Sequence, residues 1–314
     1  MEKSFEVREV SDSSSLNTFI DQACEKFYLS TTGSGSAYSD HLILAKDAAT
    51  GSLIGACEGN SFYGGACCSR LAVSREWRFP NSKGVGKALL STLASEAQKA
   101  PAKASVIHLC TLDYQGVNYY PRLGFQSDYV LTGLPNGRTI TYFSRAIGVS
   151  GLEEVRPDQE LKQQADGYII EKINSIDNPV EFAAIQEDTL RFLRSTFVQH
   201  SLETINAESG WFPFSFEAVL SGLRVGGITG KGYFGNLVIS LLMVLPEHRS
   251  RGIGEALVAA AIKRGQEKGC TRCVVETMTF QAPLFYTKKL GFVEAGVVRG
   301  FKDGSSLLRF VKNI

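Results

Sequence analysis

The residues with the clearest chemical content form a short turn, Arg249-Ser250-Arg251-Gly252-Ile253-Gly254-Glu255, between an apolar strand and an amphipathic helix. Its two glycines let backbone N–H groups come close to a ligand, and a helix starting there turns its positive end toward the same spot. With two arginines beside it, the turn suits an anion, and a diphosphate is the natural one. Two other glycine motifs are excluded. A dinucleotide fingerprint needs a third glycine where Leu257 stands, and a phosphate-binding P-loop needs Gly-Lys-Ser/Thr, whereas the related turn earlier in the chain reads Gly86-Lys87-Ala88.

The elements that must position this turn are legible from periodicity. Ile253, Leu257 and Ala261, with Val258 and Ile262, repeat at helical spacing, and Gly269 is a plausible stop. The preceding run from Leu237 to Val244 is a long apolar strand.

The same order of elements occurs twice. Residues 52–73 align without a gap on residues 223–244, pairing Gly55 with Gly226, Gly59 with Gly230, Gly64 with Gly235, Ser69 with Ser240, and Val73 with Val244. Gly84-Val-Gly86 then matches Gly252-Ile-Gly254, and the Leu-Gly-Phe at 123–125 matches that at 290–292. A period this long signals duplicated domains and excludes a solenoid. The division expected is a first domain over 1–147, a linker over 148–167 and a second domain over 168–314. Each copy opens with a strand (Phe5–Val10; Tyr168–Ile173), continues through a helical region and several strands, and closes with a strand after Gly-Phe, an α/β pattern with a mixed sheet.

Composition agrees. At 314 residues two domains are the default, and 44% hydrophobic with 21% charged residues describes a globular chain. A net charge of +1 excludes the broad basic footprint of a nucleic-acid or anionic-membrane binder. Seven cysteines without a regular framework read as reduced thiols. The start lacks a signal-peptide core and no apolar run of ~18 residues follows, so the expected setting is cytoplasmic, with no membrane association.

On these residues the chain resembles the GNAT N-acyltransferase family over nearly all of each copy. Arg249-x-x-Gly252-x-Gly254 is similar to the family's grip on the coenzyme A diphosphate. The stretches Tyr233–Val244 and Thr277–Tyr286, with the later Leu-Gly-Phe292, are similar to small members of that family. The resemblance implies two tandem GNAT-like domains, each with a mixed, splayed central sheet flanked by helices and a thioester held where the central strands part. It also implies backbone contacts to the pantetheine arm near Met243 and Val244, acetyl-coenzyme A as co-substrate and no metal. The acceptor would be a primary amine of a small molecule or peptide, with no nucleic-acid partner, and the chain a monomer or homodimer. One two-domain member of the family with a similar architecture carries its activity in the second copy, and the second copy is expected to be the active one here.

Transfer of an acyl group to an amine needs a proton acceptor for the amine, donors for the developing oxyanion and a proton for the departing thiolate. Similar proteins often place an acid where Glu276 interrupts an apolar strand. Alternation puts Val274, Glu276 and Met278 on one face, where desolvation would raise the carboxyl pKa; a solvated edge glutamate is the alternative. The thiolate's acid in the family is commonly a tyrosine before Gly-Phe. Counting forward from Gln115 and Gln281 pairs Tyr120 with Tyr286, while counting back from the glycine pairs Tyr120 with Thr287. The second copy therefore holds one extra residue there, and a packed aromatic is the alternative role for either tyrosine.

The first copy differs in chemistry. Phe79-Pro80-Asn81 interrupts its glycine turn, proline removes an N–H donor, and Cys110 stands in the place of Glu276. It is expected to be weakly catalytic or inert, while still able to hold coenzyme A through Gly84 and Gly86. The rival to an enzyme is a non-catalytic coenzyme A-binding or acyl-sensing protein. Cys270-x-x-Cys273 lacks a second ligand pair and leads into a strand, so it reads as packing. Trp211–Phe216 reads first as core and second as an acceptor-pocket wall.

Overall fold

The computed structural model describes residues 5–11, 13–78, 84–148, 167–173, 179–207 and 209–314. In chain order the elements are β1 (Glu6–Glu9), α1 (Ser14–Thr32), β2 (Ser39–Asp47), β3 (Leu53–Phe62), β4 (Gly65–Val73), α2 (Val85–Lys99), β5 (Val106–Leu112), β6 (Gln126–Leu131) and β7 (Ile140–Ala146). They continue with β8 (Tyr168–Ile173), α3 (Pro179–Ile205), β9 (Phe212–Leu220), β10 (Leu223–Tyr233), β11 (Asn236–Val244), α4 (Ile253–Glu267), β12 (Arg272–Met278), β13 (Val293–Val298) and β14 (Leu307–Asn313).

The strands form two mixed sheets of seven with the same plan. One runs β1-β9-β10-β11-β12-β14-β13 and the other β8-β2-β3-β4-β5-β7-β6. In each, antiparallel hairpins flank one central parallel pair, β11 with β12 and β4 with β5. Helix α4 buries Ile253, Leu257, Val258 and Ala261 on one face of the second sheet, and α2 does the same for the first with Val85, Leu89, Leu90 and Leu93. The expected stripe on α4 is thus the buried one.

The opening strands are exchanged. β1 pairs with β9, setting Arg8 opposite Glu217, and β8 pairs with β2, setting Tyr168 opposite Asp47. The helices follow them. α1 lays Leu16 and Ile20 against Met243 of β11, and α3 lays Leu193 against Leu42, Leu44 and Ala72 of the first sheet. The sequence assigns each opening strand to its own copy, whereas each one completes the sheet of the other. Close fit accompanies the exchange: a Cβ on Gly227 would stand 2.5 Å from the Leu16 side chain. Glu217 ties β1 in place, with Arg8 and Arg224 each donating from Nε at 2.6 Å.

The two sheets also meet through their hairpin tips. Tyr63-Gly64 and Phe234-Gly235 take positive φ at both positions, the two-residue turn geometry that glycine favours. Each tip docks on a loop of the other half, with Gly64 against Lys302 and Gly235 against Pro135, so close that a Cβ would fall 2.6 and 2.5 Å from them. Between the tips run two shared apolar clusters, one around Tyr28, Tyr63, Met278 and Phe301, the other around Leu131, Ile140, Tyr142 and Val274.

Candidate functional site

The site begins where β11 leaves β12. Their parallel pairing covers Asn236–Ile239 against Arg272–Val275 and then stops. On its other side β11 carries a bulge. Ile239 pairs with Gly230 and Leu241 with Thr229, so Ser240 has no cross-strand partner. The bulge reverses the alternation of faces: Leu237 and Ile239 point into the core under α4, as do Leu242 and Val244 beyond it, while Leu241 and Met243 turn toward α1. Past Ile239 the edge of β11 that had faced β12 is left without a ladder, which gives an acyl-pantetheine arm backbone groups to bond. β4 and β5 part in the same way after Cys67 and His108, with Ser69 at the matching bulge.

At the far end of β11 the glycine turn is formed as its sequence demands. Ser250 has φ 61° and Gly252, the residue before α4, has φ 77°. Two left-handed residues this close aim successive N–H groups inward, at a helix end whose first amides have no intrahelical acceptor. Gly252 is required by its φ, since a Cβ there would meet nothing within 4 Å; Gly254 is required by space, since a Cβ there would stand 3.0 Å from the Phe285 ring. Arg251 is exposed and unpaired among the described residues. Arg249 is committed otherwise: its Nε donates to the Val244 carbonyl at 3.0 Å and its guanidinium lies 5.5 Å from the ring centre of Phe27 on α1. It props the turn against the end of β11. Glu255 sits in the first turn of α4, where its charge favours the helix dipole. The residues fit a diphosphate through backbone amides and Arg251.

Glu276 lies just past the point of parting. It is directly opposite Arg309 of β14, whose Nε donates to Oε1 at 2.9 Å while Nη2 donates to the same oxygen. Arg309 is buried and its guanidinium carbon lies 3.8 Å from the ring centre of Tyr142, on β7 of the other sheet. Glu276 keeps 34% of its side-chain surface, so it lines an opening even though protein encloses it. Enclosure works to raise its pKa, but Arg309 foremost, then His108 and, more weakly, Lys231 outweigh it, and the pKa falls below the ordinary carboxylate value. The expected upward shift is therefore corrected: the strand face carries an arginine that strand periodicity alone does not reveal. Its match in the first half, Cys110, is also exposed, and burial by the surroundings pushes its thiol up.

The extra residue before Gly291 is absorbed in a π-helical turn, Phe285–Lys289. Around it Tyr286 meets Phe292 and stacks on Phe310, as Tyr120 meets Phe125 and Phe143, so these two tyrosines are equivalent and Thr287 is not. Thr287 instead bonds the Pro283 carbonyl at 3.2 Å. Tyr286 is buried, which drives its pKa up, with the Cys273 and Cys24 thiols adding to the effect. Its ring belongs to the core cluster that also holds Ile239 of β11 and Cys273 and Val275 of β12.

The first-half turn shares part of this geometry. Gly84 has φ 84° before α2, and Arg78 Nε donates to the Val73 carbonyl at 2.6 Å. A Cβ on Gly86 would stand 3.0 Å from the Tyr119 hydroxyl. A carboxylate intrudes, however: Glu203 of α3 lies 3.6 Å from Arg75 and its charge acts on Arg78. The insertion Phe79-Pro80-Asn81, with Ser82 and Lys83, lies outside the described residues, as does most of the expected linker. Cys270 and Cys273 are buried free thiols, and among the described residues no His/Cys/Asp/Glu group is arranged for a metal. No helix among them is long and apolar enough to cross a membrane.

Comparison with known proteins identifies the family. The Acetyltransferase (GNAT) family matches residues 158–292. The blasticidin-S acetyltransferase of Streptomyces morookaense is 34% identical over 94 residues, 30% of this chain and 68% of that one. Among solved structures, an acetyltransferase from Bacillus cereus ATCC 14579 is 29% identical, covering 45% of this chain and 96% of that one at a TM-score of 0.36. The ribosomal-protein-S18-alanine N-acetyltransferase of Escherichia coli is 18% identical, over 37% and 76%, at 0.30. The chain belongs to the GNAT acetyltransferase family.

Proposed function

We propose that the protein is an acetyl-coenzyme A-dependent N-acyltransferase, built as a tandem pair, whose working site is the gap between β11 and β12. The observation that carries this reading is the grouping around the parting pair β11 and β12 of a left-handed glycine turn, a bulge at Ser240, the Glu276 carboxylate and Tyr286. Acetyl-coenzyme A would supply an activated acyl group. The amides of Arg251–Gly254 and the Arg251 guanidinium would hold its diphosphate, and the unladdered edge near Met243 and Val244 its arm.

Glu276, ionised at neutral pH, would draw the acceptor ammonium in by charge and take up its proton transiently, passing it to water. A low pKa makes it a weak base, so its service is orientation together with proton relay. Tyr286 would donate from Oη to the departing sulfur, a task for which a raised pKa keeps the proton in place until needed. Met243, Leu16 and Ile20 close the α1 side to water. The first-half turn, its arginines faced by Glu203, is the weaker site for a phosphate.

Thiol release from acetyl-coenzyme A across a panel of amines, with binding measured by calorimetry, tests the reading. Gly252→Val should lower acetyl-coenzyme A affinity far more than Gly84→Val. Equal losses, or binding without turnover of any amine, would point to an acyl-coenzyme A-binding protein instead.

A further inference from the structure

A small pocket of about 190 Å³ lies between the first turn of α1 and the strands β9–β11, and it opens toward the bulge at Ser240. Its floor is set by cross-strand neighbours. Thr229 stands opposite Ser215 and Lys231 opposite Pro213, so these four side chains share one face, and Asn17 of the exchanged helix and Trp211 close the sides. The lining contains a lysine and no carboxylate. Thr229 and Ser215 are 8% and 7% exposed, and their hydroxyls line the pocket. Two hydroxyls beside a lysine ammonium offer donors and positive charge to an anionic group such as a carboxylate. A second cation stands at the rim, where Arg194 of α3 lies 5.7 Å from the ring centre of Trp211.

We propose that this pocket receives the carboxylate end of the acceptor, so that the preferred substrate is a small amino acid, its amine directed past Ser240 toward Glu276. The inference rests on the acetyltransferase reading above and adds the acceptor's class. The ammonium of Lys231 pairs with the carboxylate and the hydroxyls of Thr229 and Ser215 donate to it. Trp211 and Pro213 offer an apolar wall to a side chain. The volume is well below the ~300–1,000 Å³ of pockets that enclose drug-sized ligands, and it suits a compact molecule. A purely cationic polyamine would meet Lys231 and be repelled. Glu276 and Lys231 then act as a pair of opposite poles, one for each end of a zwitterion.

The test uses the full chain and matched acceptors: several α-amino acids, leucine among them, each with its amide and its decarboxylated amine. The amino acids should show at least a tenfold advantage in kcat/KM over their amides. Lys231→Gln should reduce that advantage below threefold, mainly through KM, and Lys231→Arg should restore most of it. A preference absent from the wild type, or untouched by Lys231→Gln, overturns the proposal. A second readout does not need turnover. Leucine should change Trp211 fluorescence without acetyl-coenzyme A, leucinamide should do so much more weakly, and Lys231→Gln and Trp211→Phe should each abolish the response. If no amine is acetylated, the enzymatic reading fails, while the fluorescence titration still decides the pocket: a leucine response dependent on Lys231 supports it, and no response overturns it.

Discussion

Arg309 donates twice to one oxygen of Glu276 while its guanidinium lies over Tyr142, so the charge state of a second-sheet carboxylate is set partly by a residue packed against the first sheet. Replacing Arg309 with Met should let enclosure dominate and raise the Glu276 pKa. The acid limb of the kcat/KM profile should then move to higher pH by about 1–3 units, the range an adjacent opposite charge usually commands. In the wild type that limb should lie at low pH, and above it the rate should follow deprotonation of the acceptor amine. A limb that stays put in Arg309→Met would mean Glu276 does not carry the titration.

Tyr286 and Thr287 can be separated by the π-helical turn that places them. Tyr286→Phe should lower kcat by about 10²–10⁴-fold, the usual worth of a positioned general acid, and leave acetyl-coenzyme A affinity nearly unchanged. Thr287→Val should lose only its bond to Pro283. The opposite ranking in steady-state kinetics would remove Tyr286 from the mechanism.

His108 makes stability depend on pH. It is buried against Phe301, its Nε2 has no partner, and burial lowers its pKa from 6.5 to about 4. Between those values the unfolded chain binds the proton and the folded one does not, so stability falls as the solution is acidified through this window. The full shift corresponds to at most about 3–4 kcal/mol. Chemical denaturation from pH 7 to pH 4.5 should show this slope, and His108→Leu should flatten it. His41, whose pKa burial also lowers, contributes with the same sign and remains in the variant.

Glu217 should hold the exchanged strand. Its pKa is lowered although burial acts to raise it, because Arg224 and Arg8 both donate to it. Glu217→Gln should destabilise the fold by about 1.5–3 kcal/mol, the range for hydrogen bonds to charged groups, read from urea midpoints. Hydrogen exchange should rise first at Glu6–Glu9. A uniform rise across both sheets would mean that β1 is held by its apolar contacts alone.

The hairpin tips give a sharper contrast. Gly235→Ala must place a methyl both at φ 69° and 2.5 Å from Pro135, whereas Gly137→Ala, at φ 70°, has open space around it. Thermal melts should show a markedly larger loss for Gly235→Ala. Similar losses would indicate that backbone strain, and not docking between the halves, governs both positions.

Much of the second-half site was legible because it is local. Gly252 and Gly254 are dictated by a left-handed φ and by a close aromatic, constraints that act within a few residues of chain or one packed turn, and the apolar stripe of α4 follows from its own period. The matching of Ser69 with Ser240 in sequence marked the two bulges without saying what they were. What surrounds Glu276 was not legible, since Arg309 comes 33 residues later and Tyr142 well over a hundred residues earlier, and no periodicity connects them. Lys231 likewise looks like an ordinary strand lysine until α1 arrives over it.

The exchange of opening strands marks the boundary most clearly. Two similar sheets, each needing one short strand beside β2 or β9, follow from the internal repeat of the chain alone. Because the copies resemble one another, those two edges offer β1 and β8 nearly equivalent ladders and apolar faces, and local pattern cannot choose between them. The choice falls to contacts that form only across the halves: Glu217 with Arg8, Leu16 against Gly227, and Tyr28 within the shared aromatic cluster.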